Sequence, residues 1–422
     1  MDKKERIILL LLAALNFTHI LDFMIMMPLG NYLMPYFKIS GQKFSLIVAA
    51  YSYSAFISGI VASFFVDNYD RKKVLLFGYC GFLVGTILCG FSPTANTLLI
   101  SRVIAGLFGG LISAQVMSIV ADTFVYERRG QAMGYLMSAF SVASVIGIPS
   151  GLFLANKISW HAPFLLVGGL GIFLIPLLVK FIPPMTQHLT QKKEGQYFLR
   201  TVKNIFASQR QVLALTLAAL LMLGHFLLVP FINPYMEFNV GFTKNQTQYV
   251  YIVGGLITLF SAPVFGKLAD KFGKFTIFMV CGLFSLVPIY LITNMTVTPL
   301  YVALAVTGFW FMVANGRGVA SSAMISNVVP SGIRGSFMSF SSSMQQLFTG
   351  FASTIAGLII ITDKDTRKIT HYDWVGYLSL LVIFICILLG YLVREKKTLI
   401  ASPPEIQDTG DEPVHNRESS YK

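Results

Sequence analysis

Twelve segments of this chain are apolar over about 20 residues, the length a helix needs to cross the hydrocarbon of a bilayer. They fall near 6–29, 44–66, 74–91, 97–121, 131–155, 161–182, 210–236, 246–266, 275–293, 299–328, 335–361 and 373–393. Lipid offers no partner to backbone N–H and C=O groups, so segments of this kind must satisfy their own and be helical. With 55% hydrophobic and 12% charged residues over 422 positions, the chain does not describe a water-soluble domain. The expected fold is an all-α membrane protein of twelve transmembrane helices in two six-helix bundles. A cleaved leader is the competing reading of the N-terminus, because Lys3, Lys4 and Arg6 precede an apolar run containing Ala13 and Ala14. The run continues past leader length and holds Asn16, His19 and Asp22, so it reads as a retained first span.

Lys and Arg are retained on the cytoplasmic side of a membrane. Placing both termini inside puts Lys3, Lys4, Arg6, Arg71, Lys72, Lys73, Arg128, Arg129, Lys192, Lys193, Lys267, Lys271, Lys274 and Arg334 in the cytoplasm. Few cations, among them Lys38, Lys157 and Lys244, are then left outside. The net charge of +13 is explained by this topology and by contact with anionic lipid, and no nucleic-acid role is needed. Cys80, Cys89, Cys281 and Cys386 all lie within spans without metal-ligand spacing, so they read as small packing residues, with no metal site and no disulfide. The polar stretch 183–209, opening on Pro183-Pro184, is expected to link an N-terminal bundle (1–182) to a C-terminal bundle (210–394). The tail 395–422 lacks the apolar content to fold.

The two halves look like copies. Asp67-Asn-Tyr-Asp-Arg71-Lys-Lys follows span two and Asp270-Lys-Phe-Gly-Lys274 follows span eight, 203 positions on. Arg129-Gly-Gln-Ala-Met133 returns as Arg334-Gly-Ser-Phe-Met338 after 205, and the pair His19 and Pro28 returns as His225 and Pro234 after 206. Three matches in order at nearly one offset are the trace of a parallel duplication of a six-helix unit.

Within the first span stands Asp22, and no other span carries an acid near its middle. A charge at the bilayer centre costs roughly 2.5–3.5 kcal/mol on insertion scales, so such an acid is read as functional.

Over residues 5–394 the chain resembles the major facilitator superfamily. Asp67-Asn-Tyr-Asp-Arg71-Lys-Lys and Gly266-Lys-Leu-Ala-Asp270-Lys-Phe-Gly-Lys274 are similar to its loop signature, with Ser63 and Asp70 replacing two glycines in the first copy. Arg102-Val-Ile-Ala-Gly106-Leu-Phe-Gly109-Gly110 resembles the fourth-helix signature, whose arginine is implicated in proton transfer. Gly147-Ile-Pro149-Ser-Gly151 resembles the antiporter signature, its Gly-Pro step interrupted by Ile148. Leu21-Asp22-Phe-Met-Ile-Met-Met-Pro28-Leu-Gly30 resembles the first-helix pattern of the arabinose-efflux-like, drug/proton antiporter branch.

That resemblance implies that spans one and four line a central cavity. Asp22 lies about 9 Å below the outer end of span one, and Arg102 about 8 Å below that of span four, at 1.5 Å per residue. Opposite charges at one depth favour a pair that a proton on Asp22 and an entering substrate would disturb. A static pair fixing helix register is the plainer reading. His19, one turn before Asp22 on a stripe with Asn16, either relays the proton or hydrogen-bonds a neighbouring backbone. His225 is its counterpart. Arg317 in span ten has no acid at its level, so it faces a substrate group or acceptors such as Gln345 and Gln346. Gln115 would add a neutral contact to the cavity. Serine and glycine at such positions, as at Ser341 to Ser343, also serve close helix packing. Asp67, Arg71, Asp122 and Arg129 at one helix end, with Asp270, Lys274 and Arg334 in the second half, would form charge clusters that hold the helices when that face is closed.

No phosphate-binding loop, hydrolytic motif or metal constellation occurs, so no enzyme activity and no cofactor is expected beyond an ion gradient. The expected function is proton-coupled efflux of small amphipathic or sugar-like molecules by a monomer in the plasma membrane, a bacterial inner membrane. Proton-driven nutrient uptake is the alternative, and a non-transporting membrane sensor is a third.

Overall fold

Pro28 and Gly30 punctuate the first apolar segment, and its helix breaks there. The computed structural model describes residues 3–124, 132, 135, 136, 138–186, 189, 203, 205–329, 334–363 and 366–394, without the side chains of 63–65, 67, 121 and 334–336. Span one runs Lys3–Ile25, turns through Met26–Leu29, and resumes as Gly30–Phe37. Span seven does the same 200 or so positions on, as Gln209–Phe226 and Val229–Phe238 around Pro230. Proline lacks the amide hydrogen that the ladder needs, so each first helix of a half is bent where the sequence reads as one continuous run.

The other helices follow the apolar segments to within a turn or two. Gly41–Phe65 is span two, Arg71–Gly90 three, Ala95–Thr123 four, Ser138–Lys157 five and Ala162–Phe181 six. Lys244–Phe272, Lys274–Thr293, Leu300–Asn327, Arg334–Ile359 and Tyr372–Val393 are spans eight to twelve. Eleven of these helices, the two parts of span seven counted together, are long and apolar enough to cross a membrane. The remaining one, span eleven, has the length at 26 residues, but its serines and glutamines (RGSFMSFSSSMQQLF) lower its apolarity.

Helix starts are set by local hydroxyl and carboxylate chemistry. Ser40 accepts from the Lys43 amide, while Thr94 with Thr97 and Thr243 with Gln246 form capping boxes. Ser40 and Thr243, at equivalent places in the two halves, open spans two and eight. Asp270, expected in a loop, instead rides the last turn of span eight, because nothing before Gly273 (φ +94°) stops that helix. Span five contains a π-helical stretch, Ala143–Gly147, just before Pro149, a local rewinding that takes up the missing proline donor.

Span two packs most extensively on span four within the first half and on span eleven across the halves. An apolar cluster containing Leu12, Leu15, Tyr51, Phe82 and Ile112 fills the first half. A second, which also fills the second half, runs across both halves, with Ile25, Leu29, Phe44, Phe231 and Met236 at the end where the broken helices meet. There a short antiparallel pair, Ile361–Thr362 with Ile369–Thr370, joins spans eleven and twelve. The amide of Asn239 binds both the N–H (2.9 Å) and the C=O (2.8 Å) of Ile369, acting as a third strand edge.

Candidate functional site

Asp22 and Arg102 meet. Both are fully buried, and one guanidinium nitrogen of Arg102 donates to Asp22 Oδ2 at 2.7 Å and reaches the Asp22 carbonyl at 3.4 Å. The other carboxylate oxygen, Oδ1, and the Arg102 Nε are buried without a partner. The guanidinium lies over the ring of Tyr51, 4.5 Å from its centroid. Tyr51 Oη shares a 2.7 Å hydrogen bond with His19 Nε2, and the imidazole sits edge-on to Phe82. The structure thus gathers Asp22, Arg102 and His19 around Tyr51.

Glycines make this convergence possible. A Cβ on Gly106 would collide with Ser54 Oγ and the Tyr51 carbonyl, and one on Gly110 with Ser58 Oγ and the Ala55 carbonyl. Span four therefore lies directly on the backbone of span two, which carries Tyr51 to Arg102. A Cβ on Gly109 would strike Tyr51 Oη and lie 2.9 Å from His19 Nε2. On the opposite flank, a Cβ on Gly147 would come within 2.8 Å of Leu21, and one on Gly151 within 2.7 Å of Ile25. The glycines of the antiporter-like segment thus seat span five against span one on either side of Asp22.

The other candidates are more dispersed. Asn16 donates to the Leu136 carbonyl at 3.2 Å. His225 stacks on Trp310 with centroids 4.8 Å apart and planes 6° from parallel. It also contacts Phe226, and the run Phe226, Phe23, Tyr51 continues at 5.8 and 5.4 Å, so an aromatic row crosses from one half to the other. Arg317 is buried inside the second half and donates to Ser285 Oγ of span nine at 2.9 Å, rather than to Gln345 or Gln346. Gln345 donates to Ser341 within its own helix. Gln346 Oε1 and both amide atoms of the fully buried Gln115 have no partner.

At the helix end that holds the start of span three, Arg71 forms an ion pair with Asp122. Asp70, which sequence reading treated only as a lost glycine, caps span three through the Lys72 amide (3.0 Å) and holds the Met185 amide (2.9 Å). Asp270 is exposed and Lys274 half-buried at the equivalent place in the second half. Arg129 and the side chains of Asp67 and Arg334 lie outside the described residues.

Hydrogen bonds between the halves, among the described residues, gather toward the opposite end. Asn31 donates to Glu237 Oε2 (2.5 Å), Asn233 to the Pro28 carbonyl (2.7 Å), and Tyr53 shares a bond with Thr354 (2.9 Å). Asn156 also bonds Asn245. Sequence reading missed this seam, although the repeated Pro28 and Pro234 marked both helices that build it. Among the described residues no group of three or more His, Cys, Asp or Glu could hold a metal, and all four cysteines are free.

The sequence profile of the Major Facilitator Superfamily matches this chain over residues 12–316 and again over 214–417. The two starts are 202 apart (214 minus 12), close to the offset of the internal repeat. Multidrug resistance protein 3 of Bacillus subtilis (strain 168) is 33% identical over 156 residues, which is 36% of this chain and 30% of that protein. Multidrug resistance protein 1 of the same organism is 25% identical over 369 residues, 85% of this chain and 90% of that protein. Among solved structures, a bacterial homologue of the human lysosomal transporter Spinster, inward-facing and unoccupied, superimposes with TM-score 0.73 at 14% identity over 93% of this chain and 97% of that one. A D-xylose-proton symporter does so with TM-score 0.72 at 16% identity over 90% and 96%.

Proposed function

This chain belongs to the major facilitator superfamily, and from that premise we propose that it exports small amphipathic or sugar-like molecules in exchange for protons. As a member it is a multi-pass membrane transporter and not an enzyme. The observation that carries the coupling is the buried Asp22–Arg102 pair, with one carboxylate oxygen left free.

The distribution of lysine and arginine favours a cytoplasmic location for both termini. The Asn31–Glu237 end is then the outer face, closed here, and the Arg71–Asp122 end the inner one. In this state Asp22 holds Arg102. A proton arriving on the free Oδ1 removes the charge that holds the guanidinium, and Arg102 then rests on Tyr51, which His19 fixes in place. Substrate taken from the inside and a proton taken from the outside therefore compete for one pair of groups. The aromatic row of Phe23, Phe226, His225 and Trp310 supplies an apolar wall for the substrate. A monomer suffices, and the proton gradient is the energy source.

The names of the multidrug relatives favour export, whereas that of the D-xylose-proton symporter favours uptake, which a single buried acid serves equally well. Proteoliposomes under an imposed pH gradient separate the two. Proton movement opposite to substrate marks exchange, movement in the same direction marks uptake, and neither marks a sensor. Asp22→Asn is expected to abolish coupling in either direction; full pH-driven transport by that variant would sink the mechanism.

A further inference from the structure

The closed seam between the halves is built from one turn of each broken helix, Pro28 to Asn31 against Asn233 to Glu237. Asn31 and Asn233 are fully buried and reciprocal: each gives its amide hydrogen across the seam, to Glu237 and to the Pro28 carbonyl. Each then leaves its own Oδ1 buried and unpartnered, as is the Tyr32 hydroxyl beside them. Such atoms are dry only while the seam is shut, and opening it lets water reach them. The closed seam therefore works against an unmet demand for hydrogen bonds.

What holds it shut includes a charge. Glu237 is half-buried, and its carboxylate makes the Asn31 bond a charge-assisted one, roughly twice as strong as a neutral bond. Lys244 of span eight lies within its field and places its ammonium 4.7 Å over the ring of Tyr32, on the other half. Arg367 of the loop before span twelve also acts on Glu237, and Asp373 of span twelve acts on Tyr235, two positions before it. Among the described residues of the first half, Asn31 and Tyr32 face this group, and both are neutral. Protonating Glu237 thus weakens the Asn31 bond and releases the lysine that grips Tyr32.

We propose that Glu237 is a proton-responsive latch on the outer seam, distinct from Asp22: ionised it holds the halves together through Asn31 and Lys244, and protonated from outside it lets them part. This rests on the reading of the Asn31 end as the outer face. An exporter with such a latch opens outward most readily where external protons are plentiful, which is when exchange is driven.

The test uses the full chain in lipid nanodiscs, with spin labels at Lys38→Cys and Lys368→Cys, exposed positions on opposite halves of that face. Cys80→Ser removes the exposed native thiol, and Asp22→Asn removes the buried acid of the candidate site, so that any remaining response does not come from it. The population with separated labels is expected to rise roughly five- to tenfold on acidification, the factor for a charge-assisted bond turning neutral. Glu237→Gln should be open at every pH. Asn31→Asp should reverse the slope, since two facing carboxylates repel when ionised and share a proton when acidified. The proposal is overturned if labels stay together at all pH in the parent protein, if the pH response survives Glu237→Gln, or if Asn31→Asp keeps the parental slope. Should Glu237→Gln fail to fold, the slope of Asn31→Asp decides alone. An impermeant reductant added outside right-side-out vesicles reports whether Lys38→Cys faces outward, so failure of the orientation is seen separately from failure of the latch.

Discussion

Removing both partners of the Asp22–Arg102 pair should harm the protein less than removing either one. Both side chains are fully buried, so Arg102→Met leaves a carboxylate, and Asp22→Asn a guanidinium, with no compensating charge. Breaking a buried pair costs about 3–5 kcal/mol. The lower end applies here, because Asp22 Oδ1 and Arg102 Nε make no hydrogen bond that could be lost. Each single variant is thus expected to lose ~3 kcal/mol, whereas the double variant, with neither charge and the methionine occupying the arginine stem's place, returns to within ~1 kcal/mol of the parent. Thermal unfolding of the purified protein in detergent measures the cycle, and pH-driven transport in proteoliposomes is measured on the same four proteins. A stable double variant without coupling separates the proton role from a register role. A double variant as unstable as the singles would refute the pairing argument, and a stable one that still couples would reduce Asp22 to a static pin.

Two further outcomes follow from the geometry. Gly106→Val places carbon where the Tyr51 carbonyl and Ser54 Oγ already sit, so span four must move off span two; a loss of about 1–3 kcal/mol is expected in thermal unfolding, and unchanged stability would contradict the close contact. Asp70→Ala removes both the cap of span three and the anchor of Met185, and should cost ~1 kcal/mol; limited proteolysis near Met185 should quicken, whereas Asp70→Asn, which keeps an acceptor, should restore resistance.

The helices were legible because bilayer crossing demands long apolar runs, and that demand is written in composition. The depth match that brought Asp22 toward Arg102 was legible for the same reason: helical rise converts residue number into depth. Facing was not legible. Arg317 has the depth of a cavity residue, yet it turns to Ser285 inside its own bundle, and no periodicity separates those directions in a helix that is apolar nearly all round. Nothing in the sequence singles out Tyr51, because its position over Arg102 depends on Gly106 and Gly110 in a different helix. The seam escaped notice because Asn31 lies past the break in span one, and Glu237 just past the end of an apolar run, where polar residues are ordinary. Asp270 shows the reverse error: a loop motif does not guarantee a loop when no breaker precedes it.

Span eleven bears on how such a protein comes to be built. A segment rich in serine and glutamine gains little by entering lipid alone, and leaves the insertion machinery reluctantly. Its polar face is sheltered by span two, with Ser343 against Gly59, Thr354 bonded to Tyr53 and Gly357 against Ser45. Span two is synthesised long before span eleven emerges. The first half therefore acts as a docking template during biogenesis, and damage to the surface of span two should appear as a late segment left stranded at the membrane rather than as a fault in the first half itself.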